Sequence, residues 1–264
     1  MKKILIYGLG NVGKNLAFYL ALDNEYEIGL ISRSESKCRA LILDLLPISN
    51  NVVDVGSIDL SSYDFLFVTA GISDEKNRVD FIINSKKMID DILLDVKSRG
   101  FSGNVIIISN PTDVLATYVY QKYHDNFKNI LSTGTIIDSL RLKSIIDQDI
   151  KLYGLHGNDC LSYFVDIDDC ALKKAKDIGY EIQKLGFNSS FGICLAAKKL
   201  MLYLDGEYVD SFVASKYNEL YNASFSHDLV LIDGVVKSLL IDEKNKNFPK
   251  LKEYILKLIK EVEL

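Results

Sequence analysis

At 264 residues, 48% hydrophobic and 25% charged, the chain has the profile of an ordinary globular protein of one domain or two tightly joined ones, long enough to bury a core without disulfides or metals. A formal net charge of −5 argues against nucleic-acid binding, which draws on a basic face. The four cysteines, Cys38, Cys160, Cys170 and Cys194, form no CxxC pair and match neither a zinc site nor a disulfide framework, so reduced thiols in a cytoplasmic protein are expected, with no metal.

Met1-Lys2-Lys3 and the apolar run behind them look like the start of a signal peptide, but the run stops at Gly8, and Asn11, Lys14 and Asn15 follow. A secretory segment needs a longer apolar stretch. No other run approaches the length of a membrane span, and no membrane partner is expected.

Residues 3–7 (KILIY) read as a short buried strand ending in glycine, and 12–22 as a helix. A second strand is expected over 26–31 and a helix over 35–46, stopped by Pro47. Residues 64–69 (DFLFVT) are strand again, followed by a polar loop at 72–77 and a long helix over 79–98. A strand at 104–109, a helix at 113–123, a short strand at 129–133 and a helix at 136–147 complete the first half. Strictly alternating strand and helix, with continuous apolar strands, predicts an α/β fold with a parallel sheet covered on both faces.

The second half changes character. Strand-like segments at 150–155 and 161–167 precede helices at 171–185 and 190–204. Residues 227–241 read as a hairpin about Asp233-Gly234, and a helix over 249–262 closes the chain. The boundary falls near 149, giving an α/β part over 1–149 and an α+β part over 150–264, joined without a linker through an apolar interface.

GLGNVG, with Gly8, Gly10 and Gly13, follows the first strand and opens a helix. Gly8 permits the tight turn, Gly10 lets the backbone approach a pyrophosphate, and Gly13 lets helix and strand pack closely. The helix start, Asn11, Val12 and Gly13, then offers unpaired amides to that anion. An Asp or Glu at the end of the second strand would mark an unphosphorylated adenosine ribose. Here the strand ends Ser32-Arg33-Ser34, a guanidinium and two hydroxyls that suit a 2′-phosphate, so NADP is the expected cofactor, with NAD possible.

Further segments follow in order: VTAG (68–71), Arg78 opening a helix, SNPTDVL (109–115), TGTIIDSLR (133–141) and GLHGND (154–159). With GLGNVG they resemble the L-lactate/malate dehydrogenase family along nearly the whole chain. The resemblance implies a Rossmann half and a catalytic half, a homo-oligomer, and hydride transfer to or from C2 of a small 2-hydroxy or 2-oxo acid. It implies that Thr69, Ala70 and Gly71 border the cofactor and that Asn110 lies near the nicotinamide ribose and the substrate oxygen. It makes His156 the proton donor and acceptor, Asp138 its orienting carboxylate, Arg141 the grip on the substrate carboxylate, and Arg78 the loop arginine that polarises the carbonyl. Ser189, with Asn188 as the other choice, matches the substrate-contacting threonine.

The residue chemistry agrees with these roles. Asp138 and Arg141 are spaced i and i+3 on a predicted helix and share a face. An imidazole titrates near neutrality and can take up and return a hydroxyl proton. His124 and His227 carry no comparable surroundings in sequence.

Several departures from the family pattern bear on the substrate and the assembly. The segment ISDEKN (72–77) is about two residues short of that pattern, and Asp74 falls near the position that reports on the substrate's far end, with Lys76 close by. GLHGND stands where GEHGDS is usual, and no N-terminal arm precedes the first strand. These features point to a neutral small-chain 2-oxo acid, since Asp74 would repel a second carboxylate, and to a dimer. Two other readings stay open: a different Rossmann dehydrogenase class, and a dinucleotide-binding sensor without turnover.

Overall fold

Continuous apolar runs become central strands because both of their faces are covered. The computed structural model describes residues 1–72, 77–207 and 211–264. In chain order its first half runs β1 (Lys2–Tyr7), α1 (Asn11–Ala21), β2 (Tyr26–Ile31), α2 (Glu35–Leu45), β3 (Val52–Asp54), β4 (Phe65–Val68), α3 (Arg78–Ser98), β5 (Asn104–Ile107), α4 (Thr112–Tyr123), β6 (Asn129–Ser132) and α5 (Ile136–Ile146). The six strands are parallel in the order β3-β2-β1-β4-β5-β6. This is the doubly wound Rossmann arrangement, whose ligand crevice opens where the order reverses, between β1 and β4.

Strand alternation feeds two cores. Ile4, Ile6, Phe65, Phe67 and Ile106 point into one, with Leu16, Leu20 and helix residues from the C-terminal half. Leu5, Leu66, Val68, Val105 and Ile107 point into the other, under Ile89, Leu93 and Leu115. Each such side chain contributes about 1.5–3 kcal/mol by leaving water.

The second half runs β7 (Leu152–Gly154), β8 (Cys160–Ser162), α6 (Asp169–Lys184), α7 (Phe191–Leu204), β9 (Phe212–Asn218), β10 (Ala223–Ile232), β11 (Val235–Ser238) and α8 (Phe248–Val262). The sheet does not stop at β6. Strand β9 pairs antiparallel with β6 and β10, and β10 continues to β7 and β11. Ala197, Leu200, Ala214 and Leu229 share a core with Ile4 and Leu16, so the two halves are welded through apolar contact. The division at 149/150 falls between α5 and β7.

The expected hairpin is present: Ile232 pairs with Val235, and Asp233 and Gly234 take φ 51° and 75°, as a tight two-residue turn requires. Strands β3 and β9 were not expected from sequence. Strand β3 is three residues long at the sheet edge. In β9, FVASKYN, serine, lysine and asparagine break the apolar pattern, because the strand is hydrogen-bonded on both sides and buries small polar groups.

Among the described residues, no helix is long and apolar enough to cross a membrane, and no group of His, Cys, Asp or Glu is placed to hold a metal.

Candidate active site

The crevice between β1 and β4 is a groove of about 820 Å³, within the usual range for a cofactor site. Gly8 turns the chain at φ 106°, and a Cβ there would overlap Ala70. A Cβ on Gly13 would overlap the Gly8 carbonyl and sit 2.7 Å from Thr69 Oγ1. Gly10 instead faces open space, with nothing within 4 Å of where its Cβ would be. The three glycines therefore divide as the motif requires: two for close packing and one facing outward. Thr69 Oγ1 donates to the Gly8 carbonyl at 2.6 Å and fixes the turn.

No side chain caps α1, and its first turn carries no acid. The amides of Asn11, Val12 and Gly13 are free to face an anion. The groove is lined by Gly8, Gly10, Thr69, Ala70, Gly71 and, at the end of β2, Ser32, Arg33 and Ser34. Lys37 and Lys87 line it as well, cations that sequence reading did not single out, whereas among the described residues Asp91 is its one carboxylate. The cradle fits a dinucleotide.

A second cluster forms where α5 meets the segment after β7. Asp138, in the first turn of α5, has a side chain with no exposure, and its Oδ2 lies 2.8 Å from His156 Nδ1. Arg141, one turn later and 11% exposed, places a guanidinium nitrogen 3.6 Å from Asp138 Oδ1. Among the described residues that oxygen has no hydrogen-bond partner, so the ion pair is only half made. Arg141 also reaches Ser189 Oγ at 3.4 Å, bringing the expected hydroxyl to the expected cation. Gly179 of α6 leaves the space beside the guanidinium.

His156 is the titrating group of this cluster. Burial, the largest single influence, disfavours its charged form, but Asp138, by charge and by hydrogen bond, and Asp113 together outweigh burial and the opposing Arg141. The net result is a pKa above the ordinary 6.5. The bond at Nδ1 leaves Nε2 as the ring nitrogen available to a substrate. Asp113 is the residue sequence reading passed over: its Oδ2 accepts the His156 backbone N–H at 2.7 Å, and its Oδ1 accepts from Ser132 Oγ at 3.3 Å. Burial pushes its carboxyl above the usual carboxylate range. The signal was an acid among the apolar residues of TDVLATYV; its target could be known only once β7 was placed.

A cavity of about 190 Å³ opens on His156 and is lined also by Asn110, Asp113 and Arg78, whereas Arg141 and Ser189 lie off its wall. Arg78, the first residue of α3, is engaged by α8. Its Nε and Nη2 hold Glu261 of α8 at 3.2 and 2.7 Å. Lys257, also on the wall, sits on Asp159 at 2.5 Å. Asp74 and Lys76 lie outside the described residues.

Comparison with known proteins adds an independent line. The family model for the lactate/malate dehydrogenase NAD-binding domain matches residues 2–131. An L-lactate dehydrogenase of Borrelia turicatae is 28% identical over 240 residues, 75% of each chain. The chain belongs to the lactate/malate dehydrogenase family. In fold, malate dehydrogenase of Plasmodium falciparum superposes with a TM-score of 0.87 over 100% of this chain and 98% of its own, at 20% identity. Malate dehydrogenase of Archaeoglobus fulgidus, solved in complex with NADH, gives 0.85 over 99% and 98%, also at 20% identity. Within the family, this member carries the histidine–aspartate–arginine cluster where α5 and β7 meet, and an acid-free end to β2.

Proposed function

We propose that this chain is a nicotinamide-dependent L-2-hydroxyacid dehydrogenase in which His156 moves the proton, and that its cluster with Asp138 and Arg141 is the active site. The carrying observation is the buried Asp138 carboxylate touching His156 on one oxygen and facing Arg141 with the other. When bound, the dinucleotide supplies or accepts the hydride at C2 of the acid. Arg141 holds the substrate carboxylate as a fork, aided by Ser189. His156 Nε2 takes the hydroxyl proton during oxidation and returns it during reduction, and Asp138 stabilises the imidazolium and fixes the tautomer. Asn110 contacts the reacting oxygen, and Arg78, exchanging Glu261 for that oxygen, polarises it. Asp113 holds the His156 backbone in place.

The cavity is smaller than a drug-sized pocket, which suits a short 2-oxo acid. Among the described residues, the lysine and arginine on its wall, Lys257 and Arg78, already face carboxylates. This supports a neutral side chain over a second carboxylate. Arg33, with Lys37 beside it in the groove and no acid at the end of β2, supports NADP(H) over NAD(H). Buried free thiols at Cys38, Cys160 and Cys194 suit a cytoplasmic enzyme. Exposed apolar side chains on α2 (Leu43) and at the α6–α7 corner (Leu185, Phe187, Phe191) suit a symmetric dimer.

The test of the active-site assignment is His156→Ala. It is expected to lower kcat by about two to four decades while cofactor affinity, measured by fluorescence titration, stays within about threefold. Near-normal turnover by the variant would remove His156 from the reaction.

A further inference from the structure

A cavity of about 400 Å³ lies apart from both the groove and the His156 site and shares no lining residue with either. It forms between the last turn of α4, the start of β6 and the β9–β10–β11 region. Three lysines line it: Lys128 just before β6, Lys216 from β9 and Lys237 from β11. Among the described residues none of the three has a carboxylate within 4.0 Å. Lysines elsewhere are placed differently: Lys122, Lys198 and Lys257 sit on carboxylates at 2.5–2.6 Å.

Lys216 is the informative one. It is half-buried, with its ammonium 5.3 Å from the centre of the Tyr120 ring. Its hydrogen bond is a long one, 3.4 Å to the Tyr217 carbonyl. Tyr120 in turn stacks on Tyr217 at 4.3 Å. Glu219, the single carboxylate on the wall among the described residues, is occupied by the Tyr120 hydroxyl at 2.6 Å. Burial lowers the Lys216 pKa, Lys237 lowers it further, and Glu219 only partly opposes them. A cation held this way is disfavoured unless an anion joins it. On a chain of net charge −5, a concave site lined by three lysines without a carboxylate partner among the described residues is a local reversal of sign.

We propose that this cavity is a second ligand site, taking a small phosphate monoester with a planar or apolar body: the phosphate sits on Lys128, Lys216 and Lys237, and the body lies against the Tyr120–Tyr217 wall. A phosphate monoester carries about −1.5 to −2 charges at neutral pH and matches three ammoniums better than a monocarboxylate does. The proposal does not depend on the chemistry at His156.

The test uses phenyl phosphate as probe, titrated calorimetrically at low salt into enzyme saturated with reduced dinucleotide, so that the cofactor groove is filled. One site per chain is expected, tighter for phenyl phosphate than for inorganic phosphate, and weakening as salt rises. Lys216→Met and Lys237→Gln should each weaken binding about tenfold or more, whereas Lys122→Gln, a lysine already paired outside the cavity, should leave it unchanged. Lys216→Met keeps the apolar stem, and an unchanged thermal melt establishes that it folds. If it does not fold, the double variant Lys128→Gln/Lys237→Gln, altering two exposed side chains, makes the same test. No saturable binding at about 10 mM probe, ten times the Kd of a weak millimolar site, or binding undiminished in the lysine variants, would overturn the proposal.

Discussion

Asp138→Asn removes one buried charge and keeps the shape of the side chain. In the folded protein Asp138 Oδ2 lies 2.8 Å from His156 Nδ1, and the carboxylate is fully shielded from solvent. A hydrogen bond to an ionised partner stabilises by about 1.5–3 kcal/mol. At 1.36 kcal/mol per pH unit, its loss lowers the His156 pKa by about one to two units. Reduction of a 2-oxo acid consumes the protonated ring. In wild type, kcat/KM for reduction should therefore be flat at low pH and fall as the pH rises through a value above 6.5. In the variant that fall begins about one to two units lower, and at pH above the wild-type limb the rate is lower by roughly 10- to 100-fold. Oxidation, which needs the neutral ring, shows its rising limb shifted the same way. The assay is steady-state oxidation of reduced cofactor followed by absorbance across the pH range. A second effect is separable: Arg141 loses the carboxylate 3.6 Å away, which changes KM for the acid without moving the limb. The same ionisation bears on stability. A folded-state pKa raised above 6.5 gives a contribution fully present below the unfolded value and lost as pH rises through the folded one; in the variant that slope is reduced. A descending limb that stays where it is in wild type, or moves upward, would refute the role given to Asp138.

Two other predictions concern the cofactor and the assembly. The ratio of kcat/KM for NADPH over NADH should exceed one and fall by roughly 10- to 150-fold in Arg33→Ala, the worth of one charge-assisted bond to a partly exposed phosphate; Ser32→Asp should reverse the preference, and a wild-type preference for NADH would end the NADP reading. Light scattering at micromolar concentration should give the mass of two chains, and a monomer would count against the dimer.

Much of the site is legible in the sequence because its parts sit at element ends that leave strong local marks. GLGNVG between an apolar strand and a helix marks the groove, and the structure puts Gly8 at positive φ with Gly10 facing open space. The i, i+3 spacing of Asp138 and Arg141 put both on one helix face, and His156 after β7 meets them there. What stays hidden depends on distant chain segments. Glu261 is 183 residues from Arg78, and nothing local to either predicts their pairing. Asp113 reads as an odd acid in an apolar helix until β7 delivers the His156 backbone to it. Strand β9 escapes because Ser215, fully buried, breaks the apolar pattern, and neighbours on both sides, not its own side chains, hold the strand in place.

The most direct test of the central assignment is a panel of 2-oxo acids assayed for reduction with NADPH and with NADH. Turnover of pyruvate and its short alkyl homologues is expected, with kcat/KM above that for oxaloacetate and abolished to the background level in Arg141→Gln. Absence of turnover with every 2-oxo acid and both reduced cofactors, in protein shown to bind the dinucleotide, would contradict the assignment of this chain as a 2-hydroxyacid dehydrogenase.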